Sequence, residues 1–406
     1  MQHGRSGRLH PAVARARRAV ARAVRPLLAD AAGGGPSRPP LVLVGCSGGA
    51  DSLALAAATV HLQRRGEVRV GAVVVDHQLQ PGSAEVAARA ARTLRETGLD
   101  PVLVERVSVH RGGAGPEMAA RLARYEAFRG AAERTGAAAV LLGHTRDDQA
   151  ETVLLGLTRG SGTRSLSGMP GSLVRDGVRY LRPLLNITRV ETETVCAAEG
   201  LEPWHDPTNA DTALTRSRIR HEVLPFLEAQ LGPGVGRALA RTAAVLGADA
   251  DYLDEQAEAA YDAALVTPPA PVAAPSASPL PAPEDGHAAG SERTTAPGHA
   301  GAGAASRTSV VLDCRLLRET PAALRRRVLA RACVAAGGET PTFERLGALE
   351  DFALGYGAAG PVQMAGKVTA WRHRSDAAHA RGCLELRGGS TPHESTTSQN
   401  NPGSAQ

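Results

Sequence analysis

Residues 41–52 read LVLVGCSGGADS, and an alanine-rich stretch of helical character follows. Four apolar residues in a row, Leu41 to Val44, suit a strand buried on both faces. The chain then turns through Ser47, Gly48 and Gly49 before Ala50, Asp51 and Ser52 open a helix. Glycines leave backbone N–H groups open to close approach, and a helix start adds unpaired donors and a positive dipole end. Such a turn either caps a helix, with Ser47 or Asp51 as the cap, or cradles phosphates. Asp51 is badly placed beside a bare anion, but makes sense if a magnesium ion lies between carboxylate and phosphate. A Walker loop needs a lysine after its last glycine, and the single lysine of the 406 residues is Lys367. A nucleotide held here is held by another kind of loop.

The alternation continues downstream. Helix is expected over 51–64, strand over 68–76, helix over 83–97, strand over 102–107, helix from 116 to 134, strand over 138–142 and helix from 147 onward. Strand–helix units with continuous apolar strands imply an α/β fold, a doubly wound parallel sheet covered on both faces. Ligands of such sheets sit beyond the carboxyl ends of the strands. Ser47, Asp76 and His144 all fall at strand ends, so one edge gathers them. Beyond residue 213 helices take over, at 216–226 and 236–265. Order then resumes at 309–313, followed by helices over 322–335 and 342–352 and short strands near 362–364 and 368–371. The expected domains are an N-terminal basic helix (1–38), a catalytic domain (39–213), a helical subdomain (214–265) and a small α+β C-terminal domain (309–388). Residues 266–308 hold 8 prolines in 43 positions, a composition that suits a disordered linker. A polar tail fills 389–406.

Composition narrows the classes. Five cysteines are scattered with no Cys-x-x-Cys pair, which argues against a zinc ribbon, an iron–sulfur site or a disulfide framework and fits a cytoplasmic protein. No segment approaches the ~20 continuous apolar residues of a membrane span. The net charge is +5, with arginine at every basic position but one. That bias looks like codon choice in a GC-rich genome, so it is discounted as a sign of nucleic-acid binding. Seven arginines precede Asp30, while Val13, Val20, Val24 and Leu27 recur at helical spacing. A transit peptide has that look; a docked amphipathic helix with a basic outer face is the preferred reading.

A second cluster reads GHTRDDQAE at 143–151. On a helix starting near Thr145, Asp148 and Glu151 are three apart and Asp147 and Glu151 four apart, so they share a face. A plain capping box explains Thr145 and Asp148. It leaves His144, Asp147 and Glu151 unexplained. Acids beside a nucleotide either hold magnesium or receive the ammonium group of an amine substrate.

Ser-Gly-Gly-x-Asp-Ser after a buried strand resembles the PP-loop ATP pyrophosphatases, whose fold is adenine nucleotide alpha hydrolase-like. GHTRDDQAETVLLGLTRGSG at 143–162, running on to Met169, is similar to a block of the tRNA(Ile)-lysidine synthases. Asp76-His77 with Ser83, then Glu117, Arg121, Arg124 and Tyr125, resemble further segments of that family. Arg182-Pro183-Leu184-Leu185, Asp206-Pro207-Thr208-Asn209 and Arg216-x-Arg218-x-Arg220 follow in the family's order, so the likeness covers 41 to about 228. Looser likeness extends to a C-terminal element ending in GKVTAW, while 266–308 has no counterpart.

The resemblance implies ATP-dependent ligation of free L-lysine to C2 of the wobble cytidine of tRNA(Ile) with a CAU anticodon. The route is an adenylated tRNA, and decoding changes from AUG to AUA. It implies ATP and Mg2+ as cofactors, with Ser47, Gly48, Gly49, Ala50, Asp51, Ser52, Asp76 and His77 at the nucleotide and Asp51 and Asp148 on the metal. Asp51, Asp148, Glu151 and His144 are the catalytic candidates. Arg121, Arg124, Asp147, Arg216 and Arg220 are candidates for contacting substrates. No protein partner and no membrane are implied. A tRNA thiolase shares the loop, but its sulfur chemistry lacks paired cysteines here. A non-catalytic RNA-binding protein on this scaffold is the other alternative, and the complete set of polar positions speaks against it.

Overall fold

The computed structural model describes residues 9–32, 38–78, 82–108, 116–160, 162–266, 309–357, 360–375 and 382–389. The expected linker from residue 267 and the tail from 390 lie outside the described residues. The chain divides into two compact units, 1–250 and 251–406.

The first unit opens with α1 (Pro11–Ala32), then β1 (Leu41–Cys46), α2 (Ala50–Arg64), β2 (Arg69–Asp76), α3 (Ser83–Glu96) and β3 (Val102–Arg106). It continues through α4 (Pro116–Thr135), β4 (Ala139–Leu142), α5 (Arg146–Arg159) and α6 (Gly162–Leu166). The strands lie in the order β3-β2-β1-β4, all parallel. Direction of travel reverses between β1 and β4, which opens a crevice at their carboxyl ends.

Both faces of β1 are apolar, and the pleat divides them. Val42 and Val44 join Leu53, Leu55 and Leu94 in one core, whereas Leu41 and Leu43 join Tyr125, Phe128 and Tyr180 in another. Each fully buried leucine stabilises the fold by roughly 1.5–3 kcal/mol. Val13, Val20, Val24 and Leu27 of α1 are buried in the first of these cores. Arg18, Arg22 and Arg25 on its other side are exposed, while Arg17, four residues after Val13, pairs with Glu199 at 2.9 Å. α1 is thus a docked amphipathic helix.

Two features depart from the sequence expectations. The sheet gains an antiparallel hairpin, β5 (Ser172–Arg175) and β6 (Val178–Leu181), with β6 running parallel beside β4. Asp176 and Gly177 turn it with φ of 49° and 77°, the left-handed pair that a tight two-residue turn requires. The second addition is α7 (Arg189–Glu199). Beyond it the chain winds through α8 (Thr215–Arg218), a π-turn at Ile219–Val223, α9 (Leu224–Leu231) and the long α10 (Val235–Ala264). Pro225 cannot donate to the carbonyl four residues back, and the wider turn just before it accommodates that.

In the second unit β7 (Ser309–Asp313), α11 (Cys314–Glu319), α12 (Ala322–Ala335) and α13 (Phe343–Leu354) precede β8 (Val362–Met364), β9 (Val368–His373) and β10 (Cys383–Gly388). The strands form an antiparallel sheet, β7-β10-β9-β8, of which the sequence suggested β8 and β9 as strands. Leu312, Leu317, Leu329, Leu349, Leu384 and Leu386 fill its core. No helix among the described residues is long and apolar enough to cross a membrane.

Candidate active site

The loop after β1 is shaped for a bound group. Gly48 has φ of 83°, and its carbonyl accepts the Trp204 N–H at 2.9 Å. Ser52 is buried and braces the turn from inside, donating to the Gly49 carbonyl at 3.0 Å while the Ser47 N–H reaches its hydroxyl at 3.3 Å. Gly49 is the N-cap of α2 and brings no side-chain oxygen. The first-turn N–H groups are therefore not closed off by a capping side chain, as an anion site requires. Ser47, by contrast, is exposed.

Gly143 lets the acidic helix approach this loop. A Cβ there would lie 3.0 Å from the Asp51 carbonyl oxygen, so β4 ends against the first turn of α2 only because the position is glycine. His144 and the start of α5 follow at once. The capping box is real but uses one oxygen: the Thr145 N–H and hydroxyl donate to Asp148 Oδ2 at 2.8 and 3.0 Å. Asp148 Oδ1 faces the other way, 3.1 Å from Arg189 Nη2 and 3.4 Å from Arg220 Nη2. Arg189 Nε in turn lies 3.3 Å from Asp51 Oδ2. One guanidinium joins the loop aspartate to the acidic-helix aspartate.

The carboxyls differ in character. Burial raises Asp51 against the pull of Arg189 and of Thr192, whose hydroxyl lies 2.5 Å from Oδ1. Burial also opposes ionisation of Asp148, but Arg189, the Thr145 N–H, His144 and Arg220 together hold it below the usual range. Glu151 has no exposed side-chain surface; Oε1 accepts from Arg220 Nε at 2.7 Å and Oε2 has no partner. Burial keeps its carboxyl above the ordinary value. Environments that push neighbouring acids apart in this way suit them to different roles. Burial, with Arg182, Arg121 and Arg124 nearby, pushes His144 down to about 4 despite Asp148, so it is neutral at physiological pH. Its Nδ1 has no partner.

The remaining candidates sit around this centre. Asp76 is buried at the end of β2 with Oδ1 accepting the Gln78 N–H at 3.1 Å. His77 Nε2 accepts from Arg124 Nε at 3.3 Å, and burial together with that arginine lowers it to about 4. Arg121 stacks 5.2 Å from the Tyr125 ring centre. Asp147 accepts the Arg189 backbone N–H at 2.9 Å and also lines a cleft of about 460 Å³ with Arg146, Glu228 and Arg237. Arg216 is half-buried on α8, one turn before Arg220. The structure thus brings Asp51, Asp148, Glu151, His144 and Arg220 into one neighbourhood. It adds Arg189 and Thr192, which the sequence reading passed over. Thr188-x-x-Glu191 was the available signal: both halves of that capping box form, and they place Arg189 at the first position of α7.

The oxygens fit magnesium in one way only. Asp51 Oδ2 and Asp148 Oδ1 converge on a single guanidinium, and two hard carboxylate oxygens suit an ion that takes its other ligands from phosphates and water. Among the described residues no group of three or more His, Cys, Asp or Glu forms a cage for a metal alone.

A doubly wound sheet with this loop at its switch point defines a PP-loop, ATP-binding protein, and residues 15–227 match the PP-loop domain family. Residues 312–377 match the TilS substrate binding domain. The chain is 57% identical over 248 residues to the tRNA(Ile)-lysidine synthase of Leifsonia xyli, covering 59% of this chain and 73% of that one. Identity is 56% over 251 residues to the enzyme of Thermobifida fusca, covering 62% and 73%. The Streptomyces coelicolor enzyme is 46% identical over 335 residues, covering 82% and 83%. This chain belongs to the tRNA(Ile)-lysidine synthase family.

Proposed function

We propose that this chain, a ligase by its family, forms lysidine on tRNA(Ile) by two displacements at one site. The C2 oxygen of the wobble cytidine of a CAU anticodon attacks the α phosphate of ATP, and pyrophosphate leaves. The ε-amine of free lysine then attacks C2; AMP leaves with the oxygen, and the amine gives up a proton. Decoding changes from AUG to AUA. Residues 39–213 carry this chemistry and residues 309–388 grip the tRNA.

The convergence of Asp51 and Asp148 carries the reading, because it joins the nucleotide loop to the acids that an amine substrate needs. Loop N–H groups and Ser47 stabilise charge developing on the phosphates. Mg2+, held by Asp51 and Asp148 together with phosphate oxygens, would supply charge neutralisation for the departing pyrophosphate. Glu151 Oε2 is buried, unpartnered and raised in pKa, which suits it to receive the lysine ammonium and take its proton. Neutral His144 offers a second acceptor beside Asp148. Asp147, with arginines and Glu228 around its cleft, suits the zwitterionic end of an amino acid. Arg121, Arg124 and Arg216 suit tRNA phosphates. All five cysteines are buried, which disfavours sulfur transfer.

The test is direct. Purified protein with ATP, magnesium, labelled lysine and tRNA(Ile) bearing CAU should place lysine on the wobble cytidine, located by nucleoside mass spectrometry. A thio-cytidine product, or no lysine on well-folded tRNA, overturns the assignment.

A further inference from the structure

We infer that Arg189 is a tethered cation that keeps the magnesium position closed until nucleotide binds. This rests on the reading of Asp51 and Asp148 as magnesium holders. Each of those carboxylates has one oxygen already committed within the fold. Asp51 Oδ1 faces the Thr192 hydroxyl at 2.5 Å, and Asp148 Oδ2 takes both donors of Thr145. The oxygens left to bind a metal are Asp51 Oδ2 and Asp148 Oδ1. Those are the two that Arg189 holds, at 3.3 and 3.1 Å. Metal and guanidinium therefore compete for the same pair.

The arginine is anchored to hold this position. Its backbone N–H donates to Asp147 Oδ2, and the Thr188–Glu191 capping box fixes the helix start around it. Its charge is favoured by Asp148, Asp51, Glu151 and Asp147. Yet the side chain is 26% exposed, so an arriving ligand can reach the guanidinium. A bare divalent ion would have to displace the guanidinium from both carboxylates it spans and leave two cations side by side. A triphosphate changes the balance, because its oxygens give the displaced fork a charge-assisted, bidentate partner. Metal and nucleotide then enter together. Free metal binds only weakly.

Mn2+ titration of the full-length protein, followed by electron paramagnetic resonance, tests this with and without α,β-methylene-ATP. Wild type should bind Mn2+ weakly alone and much more tightly with the analogue. Arg189→Met should tighten analogue-free binding by at least about tenfold, or about 1.4 kcal/mol, and lose most of the enhancement by nucleotide. Arg189→Lys keeps the charge but cannot span both oxygens, and should show the same change in smaller measure if the Met variant folds poorly. Unchanged analogue-free affinity in the folded variants overturns the role of Arg189, provided the Mn2+ that wild type binds with analogue is lost in Asp51→Asn. If Asp51→Asn leaves that Mn2+ in place, the metal reading itself falls, and the gate with it.

Discussion

Arg220→Met should cost stability in a way that depends on pH, because it strands Glu151. That carboxyl has no exposed surface, and Arg220 Nε at 2.7 Å is the partner of Oε1, while Oε2 has none. Two unit charges ~4 Å apart attract by about 4 kcal/mol at an effective dielectric of 20. Breaking a buried pair costs roughly 3–5 kcal/mol for the same reason. Glu151 has an escape, which is to take up a proton. From an unfolded value of 4.5, protonation at pH 7 costs about 3.4 kcal/mol, at 1.36 kcal/mol per unit. Neutralisation therefore caps the loss near that figure. At pH 5 the same step costs about 0.7 kcal/mol. A carboxyl whose folded pKa is raised carries a penalty that grows as pH rises above its unfolded pKa, so the sign is fixed. Glu151 is already raised with Arg220 present, so these figures are upper limits. Urea unfolding should show Arg220→Met destabilised by up to about 3 kcal/mol at pH 7 and by less than about 0.7 kcal/mol at pH 5. Adding Glu151→Gln should recover most of the pH 7 loss. Equal losses at both pH values, or no recovery in the double variant, would refute the reasoning.

Asp51→Asn should lower tRNA-dependent pyrophosphate release by at least about a hundredfold with the thermal midpoint little changed; normal release contradicts its place in adenylation. His77 and His144 are both held near 4 rather than 6.5, so the unfolded chain binds more protons between those values and stability falls as pH drops through them. The slope approaches about 1.4 kcal/mol per pH unit for the more buried His144 and is smaller for half-exposed His77, where solvent screens the charge. His77→Gln and His144→Gln should each flatten it in urea titrations at pH 4–7, and an unaltered slope in both would contradict the burial argument.

What the sequence made legible was whatever a local pattern encodes. Four apolar residues before Ser47-Gly48-Gly49 are enough to announce a buried strand and an open turn. Strand–helix alternation is enough to put Ser47, Asp76 and His144 on one edge. The hairpin Ser172–Leu181 escaped because four-residue strands hardly display a period, although Asp176-Gly177 between them is a turn signal. The π-turn under Arg220 has no periodic signature at all. Its trace is Pro225, whose missing N–H forbids an ordinary turn there.

Arg189 shows where such reading stops. The nearest family segment, Arg182-Pro183-Leu184-Leu185, assigns no ligand to it, and an arginine opening a helix most often faces solvent. Its position depends on three separate parts of the chain. The capping box of Thr188 fixes where α7 begins, Gly143 lets α5 reach the first turn of α2, and the parallel pairing of β1 with β4 sets both helices at one edge. The first two are visible in sequence as local preferences. Their meeting is a property of strand order, which no short window contains. The acids Asp51 and Asp148 are 97 residues apart in sequence, and the group that joins them comes from a third segment. Two carboxylates brought this close repel unless a cation lies between them. Once strand order places Asp51 and Asp148 together, one must take up a proton or a cation must lie between them, and in the folded chain Arg189 supplies the cation.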